Sequence, residues 1–328
     1  MSLASFSRSY FFEDLVIPCL TNYAYGVWLP SKLEWHSEYI VNHYGTYGDM
    51  AGLNLQRGLG IGRLMRDEVL NGLTAIIVDQ AVPNYYHILA YIIPDLIKMR
   101  SEFYIENAAV SESNKIITEY LGLLEMNIVL ISLRHEALPI RNSIIPETYS
   151  PQDSRYDRCA ALISVKEMIE KKLVIKDDSY PNKIYIERKI SKNGSNLRAV
   201  FPQEVLHGDL IANGWHIVYL EDIPILDQIK FFANAKQIAG VHGAALTNIL
   251  YTPVDASIIE ITHANGSPDC FLKLSEALDM GNYLQISCQG LFGETQEKEI
   301  KIKTGNYSNN ALPLLYTEEL KDALLGGC

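Results

Sequence analysis

The chain has 328 residues, 48% of them hydrophobic and 20% charged, with a formal net charge of −11. Those values describe a globular protein of two-domain length. They exclude a nucleic-acid partner, because a phosphate backbone demands a basic face and no Lys/Arg cluster supplies one. The five cysteines (Cys19, Cys159, Cys270, Cys288, Cys328) contain no C-x-x-C pair, which argues against zinc and a disulfide framework and fits a reducing cytoplasm. No secretory signal is expected in MSLASFSRSYFFEDL, which lacks a long apolar core. The most apolar stretch, Leu73–Leu96, is broken by Asp79, Pro83, Asn84, His87 and Pro94 and is too polar to span a bilayer.

In chain order, residues 1–70 carry tyrosines, tryptophans and glycines without a clear period, and strands joined by turns are expected there. Gly58, Gly60 and Gly62 have the spacing of a dinucleotide loop, but no apolar strand precedes them, so they read as a flexible loop. Thr74–Val78 predicts a buried strand. Tyr85–Met99 predicts a helix with Ile88, Tyr91, Ile92, Leu96 and Met99 on one face, kinked or ended early by Pro94. Strands are expected at Phe103–Ile105 and Ile128–Ile131, with a helix at Ile116–Met126 between them. This βα alternation predicts a parallel α/β layer. Leu138–Pro151, with three prolines, reads as the linker, and Arg155–Lys172 as a long helix.

The second half predicts strands at Lys183–Ile186, Trp215–Leu220, Gln237–Val241, Ala256–Ile261 and Tyr283–Ser287. Helices fall between them at Gln203–Ile211, Leu226–Ala235, Ala244–Tyr251 and Asp269–Leu278. The pattern is that of a doubly wound sheet. The expected fold is α/β with domains at 1–150 and 151–310. Residues 311–328 hold a last helix, Glu318–Leu325, for which packing back on the first domain is one option.

The chemistry concentrates in GVHGAALTNILYTP (240–253), where His242 and Gly243 occupy a strand-to-helix turn. Gly243 allows close approach to the backbone, and the first N–H groups of the following helix make an anion site suited to a diphosphate. Arg188 follows strand Lys183–Ile186, and Arg198 lies ten residues on. Two guanidiniums on one loop facing that helix end can clamp a diphosphate, although a solvated loop with two ordinary arginines is the competing reading. Glu260, near the end of the apolar strand SIIEI, is a candidate acceptor for ribose hydroxyls or a plain exposed strand end. Ala244, Asn248 and Thr247 lie in the helix after the turn, where they are candidates to cap it or to contact the ligand. In the first half, Asn84 and His87 sit at a helix start after a strand that ends near Asp79, and His87 is a candidate general base.

GVHGAALTNILYTP with the downstream ASIIEI resembles the signature of glycosyltransferase family 61, roughly G-x-H-G-A-G-L-T-N-x-L-F-x-P followed by a V-x-E-I strand. YIERKISKNGSNLR is similar to that family's Y-x-S-R…R segment, and GWHIVYLEDIPILDQIKFFANAKQI to the helix that feeds its histidine strand. PNYYHILAYIIPDL is similar to its N-x-x-H-W-L-x-D-x-L-P segment. The resemblance implies two Rossmann-like domains facing a cleft, the GT-B type, with the acceptor on the N-terminal side and a nucleotide sugar on the C-terminal side. It implies inverting, metal-independent transfer to a hydroxyl acceptor, a glycan or glycolipid, in bacterial capsule or exopolysaccharide synthesis. Uridine diphosphate is the default nucleotide, and no cofactor is implied. A cytoplasmic site, peripheral attachment to the inner membrane and homo-oligomerisation are all compatible with it.

On that resemblance Arg188 and Arg198 hold the donor diphosphate, His242 and Gly243 cradle it, Glu260 meets the nucleoside and His87 lines the acceptor side. Asp79 and Glu204 stand behind His87 as candidate bases. Three positions depart from the family pattern. Ala245 replaces a glycine, Pro202-Gln203 replace Asn-Glu and leave Glu204 one place late, and Tyr91 occupies the acidic position of the N-terminal segment. Tyr91 favours one alternative, an inactive nucleotide-sugar-binding scaffold subunit, and a sugar-nucleotide epimerase on the same two-domain architecture is a third reading.

Overall fold

The structure, a computed structural model, describes residues 9–20, 23–24, 27–29, 34–36, 72–77, 84–110, 114–132, 137–146, 158–175, 177, 179–189, 198–266, 268–304 and 312–326. The chain divides into two compact units, Met1–Lys172 and Leu173–Cys328. The expected 150/151 boundary therefore moves to the end of the long helix that had been assigned to the second half.

The first unit carries a mixed sheet. Its strands are β1 (Ser9–Leu20), β2 (Tyr23–Ala24), β3 (Val27–Leu29), β4 (Glu34–His36), β5 (Thr74–Ile77), β6 (Asn107–Val110), β7 (Val129–Ser132) and β8 (Ala137–Pro146). The spatial order is β4-β3-β1-β8-β5-β6-β7, with β2 paired to β1. The run β8-β5-β6-β7 is parallel, whereas β8 also pairs with β1 in antiparallel register, Ser9 opposite Pro146 and Pro18 opposite Ala137. The stretch read as a linker is thus a strand. Its prolines suggested a break, but the partner that forms its ladder lies more than a hundred residues earlier and leaves no local trace. The strand expected at Phe103–Ile105 forms instead at β6, where the small residues of NAAV are buried throughout.

Between β5 and β6 runs a composite helix: α1 (Tyr85–His87), a π-helical turn (Ile88–Ile92) and α2 (Ile93–Glu102). Pro94 was expected to kink or end it. The widened turn just ahead, closed by Ile93 N–H donating to Ile88 C=O five residues back, makes room for the ring, and the helix continues to Glu102. Its face of Ile88, Leu89, Ile92, Ile93, Leu96 and Met99 is fully buried. α3 (Lys115–Leu123) connects β6 to β7, and α4 (Arg158–Lys172) packs on the π turn and α2 through buried Ala161, Leu162, Val165 and Ile169.

The second unit is built on a five-stranded, all-parallel sheet. In chain order it has β9 (Lys183–Glu187), a short β10 (Val200–Phe201), α5 (Gln203–Ala212), β11 (His216–Tyr219), α6 (Ile225–Asn234), β12 (Gln237–Val241), a 3-10 helix (Ala244–Tyr251), β13 (Ser257–His263), α7 (Cys270–Ala277), β14 (Tyr283–Cys288), α8 (Glu294–Thr304), β15 (Leu314–Leu315) and α9 (Glu318–Leu325). The order β11-β9-β12-β13-β14 is 2-1-3-4-5 by chain position, the doubly wound arrangement of flavodoxin type. Strand order reverses between β9 and β12, so the ligand crevice of such a sheet falls at their carboxyl ends.

One face of this sheet, with Tyr185, Ala239, Val241, Ile259 and Ile261, packs against Leu206 and Leu210 of α5 and Leu320 and Leu324 of α9. The face of α9 that the sequence left free to reach the first domain is buried here, in its own unit. Thr317 caps the helix by accepting from Leu320 N–H at 3.3 Å. Leu320→Ala should cost about 2–5 kcal/mol, because the fully buried side chain leaves a cavity that the sheet cannot close. Chemical denaturation of the variant checks this, and a loss below about 1 kcal/mol would show that α9 is not part of the core.

Candidate functional site

The turn after β12 is fixed from below. His242 N–H donates to Ile261 C=O at 2.8 Å, which extends the β12–β13 ladder one residue past the strand. Its amide is therefore spent, and only the N–H groups that follow can serve an anion. Ala244 and Ala245, both partly exposed, open the helix and have no partner within it. That helix is 3-10 rather than α. The tighter winding suits its buried contact face, with Leu246, Ile249 and Leu250 set against α6 and α7.

Arg188 and Arg198 converge on this turn. Arg198 Nη1 donates to His242 C=O at 2.7 Å. A methyl group built on Gly243 would lie 2.6 Å from Arg198 Nη1 and 2.7 Å from Arg188 Nη2. Glycine is needed here for space, since its φ of 166° is an extended value open to any residue. Burial, with the Arg188 guanidinium beside it, pulls Arg198 down to about 9. Burial also pulls Arg188 down, partly offset by Glu221. Two guanidiniums held together against desolvation and mutual repulsion favour an anion between them. Gly243→Ala should push them apart and weaken pyrophosphate binding about tenfold with little change in the melting point. Isothermal titration of the variant checks this, and unchanged affinity would mean that the guanidiniums do not need the glycine.

His242 does not stand alone. With its proton on Nδ1, the ring donates to Glu260 Oε1 at 2.5 Å, and it packs tilted on Phe271 with ring centroids 5.1 Å apart. Glu260 Oε2 accepts from Tyr283 OH at 2.7 Å and from Gln285 Nε2 at 2.5 Å. The Glu260 side chain is 0% exposed and takes three protein donors on its oxygens, so it presents no surface to ribose hydroxyls. The role expected for it is corrected: Glu260 orients His242. Burial, then Glu260, pushes the Tyr283 phenol far up, which keeps it a hydrogen-bond donor. The same two causes raise the neighbouring Cys270 thiol to about 12.

Other expected residues fall elsewhere. Asn248 is fully buried, and its Nδ2 donates to Gln228 Oε1 at 3.2 Å. Gln228 in turn donates to Leu220 C=O and Ile223 C=O, so Asn248 secures the β11–α6 connection rather than a ligand. Thr247 Oγ1 donates to Ala244 C=O at 2.7 Å, inside the helix. Asn84 is the N-cap of α1, accepting from Tyr86 N–H at 3.0 Å. His87, only 7% exposed, stacks on Tyr91 with ring centroids 5.5 Å apart, and the Arg158 guanidinium lies 4.8 Å from the centroid of the same Tyr91 ring. Glu204 is exposed in the first turn of α5. Asp79 and the glycines at 58, 60 and 62 lie outside the described residues.

Sequence reading missed two groups. Tyr283 and Gln285 come from the neighbouring strand and carry no local signal. Glu187 did carry one: a carboxylate ending the apolar strand KIYIE. It is only 1% exposed, accepts from Arg188 N–H at 2.9 Å through Oε1, and bonds through Oε2 to His207 Nε2 at 2.8 Å.

A parallel doubly wound sheet with paired guanidiniums and a helix start at its switch point defines an α/β protein of Rossmann-like type. The model of the family Glycosyltransferase 61 matches residues 80–259, more than half of the chain, and the chain belongs to that family. It is a glycosyltransferase, and its substrates are a sugar donor and an acceptor. No curated protein matches the sequence. Among the described residues no helix is long and apolar enough to cross a membrane.

Proposed function

We propose that the donor is a nucleoside-diphosphate sugar, and that its diphosphate is held by Arg188, Arg198 and the leading N–H groups of the Ala244–Tyr251 helix. The observation that carries this reading is the convergence of both guanidiniums on Gly243 at the switch point of the sheet. In this reading the acceptor oxygen attacks the anomeric carbon from the face opposite the diphosphate and inverts it. The carbon–oxygen bond to phosphate breaks with its electron pair, and the leaving charge settles on the two arginines, which do the work of a metal. His87 takes the acceptor proton, with Glu204 and Asp79 as the remaining candidates. A two-domain GT-B arrangement and a role in bacterial surface-polysaccharide synthesis belong to the same reading.

A melting-point series with pyrophosphate, UDP and UDP-sugars tests the donor class. A ligand at one hundred times its dissociation constant stabilises the native state by about 2.7 kcal/mol, which amounts to several degrees. Failure of every diphosphate to raise the melting point would remove the clamp. The anomeric configuration of the product, read by NMR, tests inversion separately.

A further inference from the structure

We infer that Glu187 and His207 form a positioning pair that aims Arg188 at the donor diphosphate. The inference rests on the diphosphate-clamp reading above. Side chains alternate along β9, and Tyr185 and Glu187 share the face that packs on α5, whereas Arg188 leaves the strand one residue later. Glu187 therefore anchors from the α5 side a turn whose next side chain reaches Gly243. A carboxyl group exposed by only 1% is tolerable only when its oxygens are occupied. Here the partners are the Arg188 backbone N–H, at 2.9 Å, and His207 Nε2, at 2.8 Å. Any rotation of the turn that swings the guanidinium away from Gly243 strips the first of these bonds from a buried acceptor. His207, partly exposed on α5, supplies the second and ties the turn to a helix already packed in the core. Neither residue needs to touch substrate; both act through Arg188.

A double-mutant cycle separates this from a purely structural role. Pyrophosphate and UDP affinities are measured by titration calorimetry for the wild type, Glu187→Ala, His207→Ala, Arg188→Ala and the two doubles with Arg188→Ala. Glu187→Ala and His207→Ala are expected to weaken both ligands about tenfold in the Arg188 background and to have no further effect once Arg188 is gone. Glu187→Gln, whose amide oxygen can still accept from the Arg188 N–H, should return to within about twofold of wild type. If Glu187→Ala does not fold, the milder His207 pair carries the test. Equal effects in both backgrounds, or a lower melting point with unchanged affinity, would overturn the proposal. An Arg188→Ala variant that binds pyrophosphate as the wild type does would instead overturn the clamp, and this inference with it.

Discussion

Arg188→Ala and Arg198→Ala are each expected to weaken pyrophosphate and nucleoside-diphosphate binding, and to cut transfer, by about two orders of magnitude. A charge-assisted contact to a leaving diphosphate is worth about 2.7–4 kcal/mol where the charge develops. At about 1.4 kcal/mol per tenfold, one lost guanidinium gives a factor of a hundred or more. The fold should survive either change. Each cation is pulled down by burial, so the ligand-free protein should melt no lower without Arg188, whereas Arg198→Ala also strips the bond to His242 C=O and should cost about 1 kcal/mol. His87→Asn makes the contrast, with slower transfer but an unchanged pyrophosphate dissociation constant. Calorimetry beside a transfer assay reads all three. Turnover at wild-type rate in Arg188→Ala would remove that residue from the site.

The second large effect is on stability. Glu260→Ala leaves His242 Nδ1, Tyr283 OH and Gln285 Nε2 without their shared acceptor; His242 is buried, Tyr283 half-buried and Gln285 exposed. Leaving the buried His242 donor without its acceptor costs about 1–3 kcal/mol, on the order of 5 °C in the melting point for a unit of this size. Glu260→Gln keeps the shape and some of the bonding, so it should lose less. Activity should fall in both, because His242 loses the bond that orients it. A melting point within about 2 °C of wild type for Glu260→Ala would mean that water, rather than the network, satisfies these groups.

Much of this was legible in the residues. The strand and helix rhythm from Lys183 onward, the turn at His242-Gly243 and the pair Arg188 and Arg198 are local patterns of apolar period, breaker and charge. A local window reads such patterns well. The π turn ahead of Pro94 is less legible, since the ring forbids one geometry without naming the one that replaces it.

What the sequence determined by itself is the inventory: two α/β units, a glycine-led helix start and two cations able to meet an anion there. The tertiary structure decided the partners. It placed β8 beside β1, ordered the strands so that the switch point falls between β9 and β12, and buried Glu260 under Tyr283 and Gln285. The physical reason is the same in each case. Hydrogen bonds across a sheet join residues far apart in the chain, and whether a carboxylate meets solvent or three side-chain donors depends on the neighbouring strands, which its own sequence does not encode.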